Sequence, residues 1–182
     1  SNSTAVTIYT LMMLHGTEFK NPEYRNQFGY KGKFRIVPLN FGDYDNQKIF
    51  DYEEVGVETK DLSFDDYLYL RVIALLVESL HNGRPFNEFF LYGKHHNIEQ
   101  ASLLKILYDN INKGSKNIQN LIQAFIDETK GELWDSEEEL LKFYKKEENY
   151  LKLKNGEVGG NLIYKYKSRN LVENNSDWID LF

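Results

Sequence analysis

The first third of the chain has the hydrophobic periodicity of β-strands. Residues Ala5 to Leu14 form a continuous run of apolar and β-branched side chains without a charge, which is typical of a strand buried on both faces of a sheet. Residues 34–38 and 49–58 alternate between apolar and polar positions, so we predict two further strands. The first of these should stop at its proline, and the two should pair as a hairpin across residues 40–48. A short helix is expected after Pro22.

The period becomes helical from Ser63 onward. Ser63 and Asp66 form a capping-box pattern at the start of this helix. Apolar residues continue through Leu80, and the helix should stop at Gly83 and Pro85. Because its apolar positions extend around most of the cylinder, we expect this helix to be central and buried. Further helices are predicted over residues 85–92, 97–113, 115–131, from 135 onward and 162–172.

The predicted fold class is therefore mainly α. A short β-rich N-terminal third, with one strand and a hairpin, precedes a bundle-like domain of five or six helices. The change of periodicity suggests a strand-containing segment over residues 1–62 and a helical C-terminal domain over residues 63–182. An apolar tail is expected to dock on the helices, and it consists of Trp178, Ile179, Leu181 and Phe182.

The composition excludes several classes of function. The formal net charge of -6 disfavours general binding to nucleic acids or to anionic membranes. No apolar stretch reaches the roughly 18 residues of a membrane span. The absence of cysteine removes disulfides, thiolate nucleophiles, zinc–thiolate sites and iron–sulfur ligation from this chain. It also fits a reducing compartment, so we expect a cytoplasmic protein.

The histidines are the first candidates for metal or acid–base chemistry. His95 and His96 are adjacent, and neighbouring residues of a helix do not face each other. No Asp or Glu lies at the spacing of a metallohydrolase motif, so a surface pair is favoured over a pair of metal ligands. His81 falls in the last turn of the strongest predicted helix, where a cation complements the helix dipole. We therefore assign no metal ligand.

Adjacent carboxylates and glycines have equally simple explanations. Paired carboxylates catalyse reactions only when they face each other in a cleft, whereas Asp65–Asp66, Glu53–Glu54 and Glu137–Glu139 suit helix caps, a strand face or a solvated helix start. Gly159–Gly160–Asn161 precedes a predicted helix but lacks the rest of a phosphate-binding fingerprint. The alternation of aromatic and basic residues over 164–169 is best explained as a solvated helix face. We identify no catalytic residue in this chain.

Several motifs resemble the radical SAM enzymes. They are Tyr9-Thr-Leu-Met-Met-Leu-His-Gly-Thr-Glu18, Pro22-Glu-Tyr-Arg25, Phe28-Gly-Tyr30, Lys33-Phe-Arg-Ile36 and Asn40-Phe-Gly42. More narrowly, this region is similar to the part that follows the cluster motif in members that often carry a cobalamin-binding domain. A looser likeness continues over residues 55–70 and returns at 160–167. The resemblance implies that residues 1–62 form the end of a radical SAM barrel and that a partly helical C-terminal region follows.

The resemblance also implies a site. In that family the strand ends in a Leu-Pro-Gly-Thr-type turn, and His15 stands here where a proline is expected. Loops at the C-terminal ends of barrel strands line the active site, so His15, Gly16 and Thr17 would contact S-adenosylmethionine or substrate. The parent enzyme would hold a [4Fe–4S] cluster and S-adenosylmethionine, and whether cobalamin takes part is left open. The three-cysteine motif for the cluster is absent, so this segment would bind no cofactor on its own and would not be active alone.

Three functional hypotheses follow, the last of which is a small stand-alone enzyme that uses the histidines and would need a bound metal. In the first, the chain is the non-catalytic C-terminal portion of a radical SAM enzyme, where it completes or covers the active site or binds a partner. Its partner would be the upstream radical SAM core of the same polypeptide. The isolated fragment could form a homo-oligomer through the apolar strand over residues 5–14, which would have lost its neighbours in the barrel. The alternative is a stand-alone helical protein-interaction module without enzymatic activity.

Overall fold

The fold was obtained as a computed structural model, which describes residues 5–181. Within this range the chain forms nine α-helices and one two-stranded antiparallel sheet. The predicted fold class, mainly α with a hairpin in the first third, is confirmed. In chain order the elements are α1 (Pro22–Phe28), β1 (Lys31–Tyr44), β2 (Gln47–Glu58), α2 (Phe64–Leu76), α3 (Asn87–His95), α4 (Gln100–Asp109), α5 (Lys116–Gly131), α6 (Glu137–Tyr144), α7 (Glu147–Lys154), α8 (Leu162–Val172) and α9 (Asn175–Leu181).

Backbone contacts divide the described residues into two compact units, each of which is discontinuous in sequence. The helical unit contains residues 5–8, 68–127 and 162–181, and the hairpin unit contains residues 9–67 and 128–161. The chain passes from one unit to the other after Ile8, within α2, within α5 and directly before α8. Whether residues 1–62 and 63–182 fold as separate domains stays a prediction.

The hairpin is longer than the sequence pattern predicted. A two-residue loop, Asp45–Asn46, joins β1 to β2, and both loop residues have positive φ angles of 51° and 64°, as the favoured two-residue hairpin loops require. The expected loop over residues 40–48 is therefore wrong, as is the expected end of the first strand at Pro38. The register shifts between Ile36 and Phe41, and this irregularity accommodates the proline within β1.

Short backbone pairings border both edges of the hairpin. On the β2 side, the Met13 N–H donates to the Glu54 carbonyl at 2.8 Å and the Gly56 N–H donates to the Leu11 carbonyl at 2.9 Å. On the β1 side, the main chains of Phe34 and Trp134 exchange two hydrogen bonds of 2.8 Å. These pairings extend the sheet by one isolated bridge at each edge.

The prediction of a strand buried on both faces over residues 5–14 is wrong for this chain. The run makes a single bridge, between Met12 and Val55, and Met13 is its one buried member, at 2% exposure. The physical reason is that a strand is buried on both faces only where other elements cover both faces of its sheet, and most side chains of this run are exposed. Among the described residues, β2 is the strand that pairs with this run, and its other edge has no strand beside it.

Helix α2 carries the core of the helical unit. Val72, Leu75, Leu76 and Leu80 have no exposed surface, and they pack with apolar residues of α3, α4, α5, α8 and α9. The prediction of a central, buried helix is confirmed. After Leu76 the helix widens into a π-helical turn, Val77–His81, and Gly83 follows with a φ of 73°.

The C-terminal tail docks largely as predicted. It forms α9, in which Trp178 is fully buried and Leu181 packs against the same core. Ile179 is 59% exposed and takes no part in the docking. Phe182, which was also assigned to the docking tail, lies outside the described residues.

The hairpin unit has its own apolar cluster. Two short helices, α6 and α7, replace the single helix predicted from residue 135, because the chain leaves helical geometry at Lys146, whose ψ is 135°. The predicted N-terminus is confirmed, since the Ser136 side chain accepts a hydrogen bond from the Glu139 N–H at 3.2 Å. The helices pack on the hairpin through Ile36, Phe50, Leu140, Tyr144, Tyr150 and Leu153.

Candidate functional site

His15, Gly16 and Thr17 form an exposed turn at the end of the extended N-terminal run. Gly16 has a φ of 80°, and an added Cβ there would meet no atom within 4 Å. The left-handed backbone, not crowding, therefore favours glycine at this position. The Thr17 hydroxyl donates to the Leu14 carbonyl at 2.6 Å. This bond closes the turn and already engages the hydroxyl.

Glu54 of β2 binds the chain on both sides of this turn. Before the turn, its carbonyl accepts the Met13 N–H at 2.8 Å. After the turn, a short 3-10 helix over Glu18–Lys20 places Lys20 so that its ammonium group forms an ion pair with the Glu54 carboxylate. The main chain and the side chain of one strand residue thus fix the two ends of the segment 13–20, and the turn lies between them.

The Glu54 carboxylate is a buried anion with two cationic partners. Its side chain is 5% exposed, and Arg25 Nη2 lies 2.7 Å from its Oε1 atom. Burial alone would raise the pKa of Glu54, but the hydrogen bonds from Lys20 and Arg25 outweigh that effect and hold the pKa below its usual value. The group therefore stays ionised at neutral pH. Lys20 and Arg25 remain about a quarter exposed, with values of 22% and 27%.

An aromatic cluster supports these cations. Phe19 and Tyr30 meet edge to face with ring centroids 5.3 Å apart, and Tyr24 and Phe28 lie 4.7 Å apart. Asn21 caps α1 by accepting the Glu23 N–H at 2.8 Å, and Pro22 begins the helix as predicted. The cap and the rings fix α1, the helix that carries Arg25.

The fit of Glu54 depends on the absence of a side chain at Gly32, which faces it across the hairpin. A Cβ at Gly32 would lie 2.1 Å from Glu54 Oε1. We therefore expect Gly32→Ala to lower the free energy of unfolding by about 1–3 kcal/mol, as other overpacked sites do. Gly131→Ala is the matched control, because a Cβ there meets no atom within 4 Å. Urea denaturation of the two variants checks the prediction, and equal stabilities would contradict it.

A second ionic group lies on the opposite face of the hairpin. Arg35 Nε is 2.7 Å from Glu53 Oε1 and its Nη1 is 3.0 Å from Glu132 Oε1. Burial would lower the pKa of Arg35, but the two carboxylates outweigh it and raise the pKa. Because successive side chains of a strand point to opposite faces, Glu53 and Glu54 serve different cations and do not face each other in a cleft.

The other adjacent acidic residues singled out in the sequence lie at helix N-termini. The Asp66 N–H donates to Ser63 Oγ at 3.1 Å, and the Ser63 N–H donates back to Asp66 Oδ2 at 2.9 Å. The predicted capping box is confirmed. The Ser63 hydroxyl also donates to Asp66 Oδ2 at 2.6 Å, and this bond, together with the one from the Ser63 N–H, lowers the pKa of Asp66. Glu137, Glu138 and Glu139 form the first turn of α6, where negative charge is favoured.

The histidines are dispersed. His95 and His96 are exposed at the end of α3, where the His96 ring lies 4.3 Å from that of Tyr92. His81 lies in the last turn of its helix, as predicted, but it is buried and its ring nitrogens contact Asn82 and Gln100 at 3.3 and 3.2 Å. Over residues 5–181 no group of three or more His, Asp or Glu side chains is placed to hold a metal ion.

The remaining motifs have structural roles. Gly159 has a φ of 71° in the loop before α8, and an added Cβ there would lie 2.4 Å from Leu153 Cδ2. The aromatic–basic stretch forms the body of α8, in which Tyr166 is fully buried and Tyr164 is 61% exposed. Lys167 Nζ pairs with Glu78 Oε1 at 2.6 Å. One face of this helix is therefore buried rather than solvated.

Sequence reasoning missed the partners of Glu54. They lie 34 and 29 residues away in sequence, and no motif links the three positions. One available signal was strand alternation, which assigns Glu53 and Glu54 to different faces. A second missed group lies around Asn82, which is buried at 8% exposure.

Comparison with known proteins identifies no family for this chain. No family model matches the chain, and no curated protein matches it either. Among the helices of the described residues, none has both the length and the apolar character needed to cross a membrane.

Proposed function

We propose that this chain is the C-terminal portion of a radical SAM family enzyme, in which it helps to complete or cover the active site. The motifs between Tyr9 and Gly42 suggest the family, and one feature of the structure supports the assignment. That feature is the apolar run at residues 5–14, in which most side chains are exposed to solvent.

The exposure of this run is the observation that carries the proposal. Leu11 and Met13 hold the run to β2 through backbone hydrogen bonds, and Met13 is the one buried side chain of the run. The exposed fractions range from 38% to 86% for Val6, Ile8, Tyr9, Leu11, Met12 and Leu14. Burying such a side chain contributes about 1.5–3 kcal/mol. An apolar strand without a charge suits a sheet in which further strands of the same polypeptide cover it.

The turn after the strand would then contribute to the site. In the parent enzyme His15, Gly16 and Thr17 would lie beside S-adenosylmethionine or substrate, since barrel loops at strand ends line the active site. The two clamps from Glu54 on either side of the turn would hold these residues in place. The Thr17 hydroxyl would act by fixing the turn, because it donates to Leu14.

The residues present do not fit an iron–sulfur cluster. Such clusters are held by cysteine thiolates, and this chain contains no cysteine. The proposal therefore assigns the cluster and the chemistry of S-adenosylmethionine cleavage to the upstream core, and it assigns no catalytic step to residues of this chain.

The reading frame upstream of Ser1 in the source genome tests the proposal. A Cys-x3-Cys-x2-Cys motif within that frame is the expected result, and it would identify the chain as the accessory end of a radical SAM enzyme. A start codon within a few residues of Ser3 would end the proposal, and the stand-alone helical interaction module would take its place.

The proposal also predicts how the isolated chain behaves. Without a neighbouring strand, the open edge should pair with a second copy, and the chain should self-associate. Because Leu11 and Met13 bond to β2, the N–H of Met12 points to the open side, so Met12→Pro should abolish association. Met12→Ala keeps the N–H and should associate. Analytical ultracentrifugation distinguishes the variants, and a chain that stays monomeric without substitution would contradict the prediction.

A further inference from the structure

The π-helical turn at the end of α2 is a centre of polar contacts in the helical unit. Glu78 Oε1 pairs with Lys167 of α8 at 2.6 Å. Ser79 Oγ accepts from Asn170 Nδ2 at 3.0 Å, and His81 contacts Gln100 of α4. Asn82 follows directly and binds the main chain of Val6. π-helical turns occur frequently at functional sites, and the contact between Asn82 and Val6 points to one here.

The carboxamide of Asn82 has a polar partner at each of its hydrogen-bonding positions. Its Oδ1 atom accepts the Val6 N–H at 3.0 Å and lies 3.3 Å from His81 Nδ1. Its Nδ2 atom donates to the Val6 carbonyl at 2.9 Å and to Glu78 Oε2 at 2.6 Å. A carboxamide offers two donors and two acceptors. Three of these form directed hydrogen bonds, and the fourth faces His81 Nδ1, although the residue is only 8% exposed.

This network fixes the orientation of the carboxamide. If the amide were turned over, Oδ1 would face the Val6 carbonyl and the Glu78 carboxylate, and Nδ2 would face an N–H group. Each of these contacts would be repulsive, so one orientation is allowed. Because Oδ1 only accepts, its contact with His81 is a hydrogen bond in the tautomer that carries the proton on Nδ1. Glu78 is able to accept because Lys167 and Asn82 outweigh the effect of burial and hold its pKa below the usual value.

Asn82 forms two hydrogen bonds with the N-terminal segment, and both are with the main chain of Val6. In an extended strand the N–H and C=O of one residue point to the same side, and an antiparallel neighbour bonds to both. The Asn82 carboxamide takes the place of that neighbour. The Val6 side chain is 41% exposed, so the contact with Asn82 selects extended backbone and not a particular side chain.

We propose that Asn82, oriented by Glu78 and His81, is a binding site for the main chain of an extended peptide segment, and that residues 5–8 of the same chain occupy it. The ligand class is a strand-like peptide, bound at one residue through its N–H and C=O groups. The proposal goes beyond the assignment to the radical SAM family. It does not depend on that assignment, because it rests only on the hydrogen bonds of Asn82 within this chain.

Amide hydrogen exchange in the full chain tests the site. Asn82→Ala should raise the exchange rate of the Val6 amide by about tenfold or more, as expected when a protecting hydrogen bond is lost. Asn174→Ala is the matched control, since Asn174 is 7% exposed and donates to the Arg169 carbonyl in the same unit. It should leave the Val6 amide unchanged. An unchanged Val6 rate in Asn82→Ala, or an equal rise in both variants, would overturn the proposal.

A second variant keeps the test decisive if Asn82→Ala does not fold. Val6→Pro removes the N–H that bonds to Asn82 Oδ1 and fixes φ at residue 6, so the segment should leave the site while Glu78 and His81 stay beside Asn82. The side-chain amide proton of Asn82 that donates to the Val6 carbonyl should then lose its acceptor and exchange about tenfold faster. If it exchanges at the same rate as before, Asn82 does not act as a main-chain site. Val6→Thr keeps the backbone donor and should behave as the unmodified chain does.

Discussion

Replacing Trp178 by alanine is expected to lower the free energy of unfolding by about 3–5 kcal/mol, the range for truncation of a large buried aromatic residue. Trp178 is fully buried in the main core of the helical unit. Its removal leaves a cavity that the surrounding helices can fill only in part. The same variant removes the docking contact of α9, so the C-terminal helix should also lose its amide protection.

A buried hydrogen-bond chain adds to this loss. Trp178 Nε1 donates to Asn170 Oδ1 at 3.1 Å, and Asn170 Nδ2 donates to Ser79 Oγ at 3.0 Å. Asn170 and Ser79 have no exposed surface, so the variant leaves a buried acceptor without its donor. Trp178→Phe keeps most of the apolar volume but not the N–H, and it should lose about 1–3 kcal/mol, the penalty for one unsatisfied buried polar group.

Urea denaturation followed by circular dichroism measures both changes. Ile179→Ala is the matched control, because Ile179 follows Trp178 in the same helix but is 59% exposed. It should change stability by less than about 1 kcal/mol, as exposed substitutions do. A loss for Trp178→Ala no larger than that of the control would show that α9 contributes little to the fold.

The elements that sequence predicts well are those with local signals at both ends. Helix α1 has Asn21 as its cap, Pro22 at its first position and Gly29 in the left-handed conformation after it. Helix α2 has the Ser63 and Asp66 box at its start. Each signal acts within a few residues, so no knowledge of the tertiary structure is needed to use it. The hairpin follows from alternation for the same reason.

The sequence-based predictions are wrong where contacts between residues distant in sequence determine the structure. A proline such as Pro38 normally ends a regular strand. Here β1 continues past it because the register shifts and Leu39 adopts a φ of 64°. Packing of Phe41 on Tyr150 of α7 favours this continuation of the strand. The break between α6 and α7 carries no glycine or proline. The run over residues 5–14 has the composition of a buried strand, yet burial depends on neighbours that the described residues do not supply.

The candidate site also has features with a local sequence signal and features that depend on distant residues. The resemblance implies a site at His15, Gly16 and Thr17, and that role stays a prediction; Gly16 adopts the left-handed backbone that a turn needs. The residues that clamp this turn could not be predicted, because Lys20 and Glu54 lie 34 residues apart in sequence and meet only in the folded chain. Asn82 was equally hidden, since its main-chain ligand lies 76 residues away.

Glu54→Gln is expected to lower the free energy of unfolding at neutral pH by about 2–4 kcal/mol, since it breaks a buried, doubly paired charge. The neutral amide keeps the shape of the side chain but loses the charge that binds Lys20 and Arg25. The loss should stay within this range because both cations retain access to water. The clamp on the turn over residues 15–17 should weaken as well.

The pH dependence has a defined sign. The folded-state pKa of Glu54 lies below its usual value, so the carboxylate stabilises the fold fully above the unfolded-state pKa of about 4.3. This stabilisation is lost as the pH falls through the lower folded-state pKa. The stability difference between the unmodified chain and Glu54→Gln should therefore be largest at neutral pH and shrink below about pH 4.

Glu58→Gln is the matched control for this measurement. Glu58 lies on the same strand and pairs with Lys31 at 2.8 Å, but Lys31 is 69% exposed, and exposed ion pairs contribute about 0–1 kcal/mol. Urea denaturation at several pH values should therefore show a large, pH-dependent loss for Glu54→Gln and a small one for Glu58→Gln. Equal losses would mean that Glu54 is an ordinary surface carboxylate, and the turn at His15 would then depend on its backbone bonds alone.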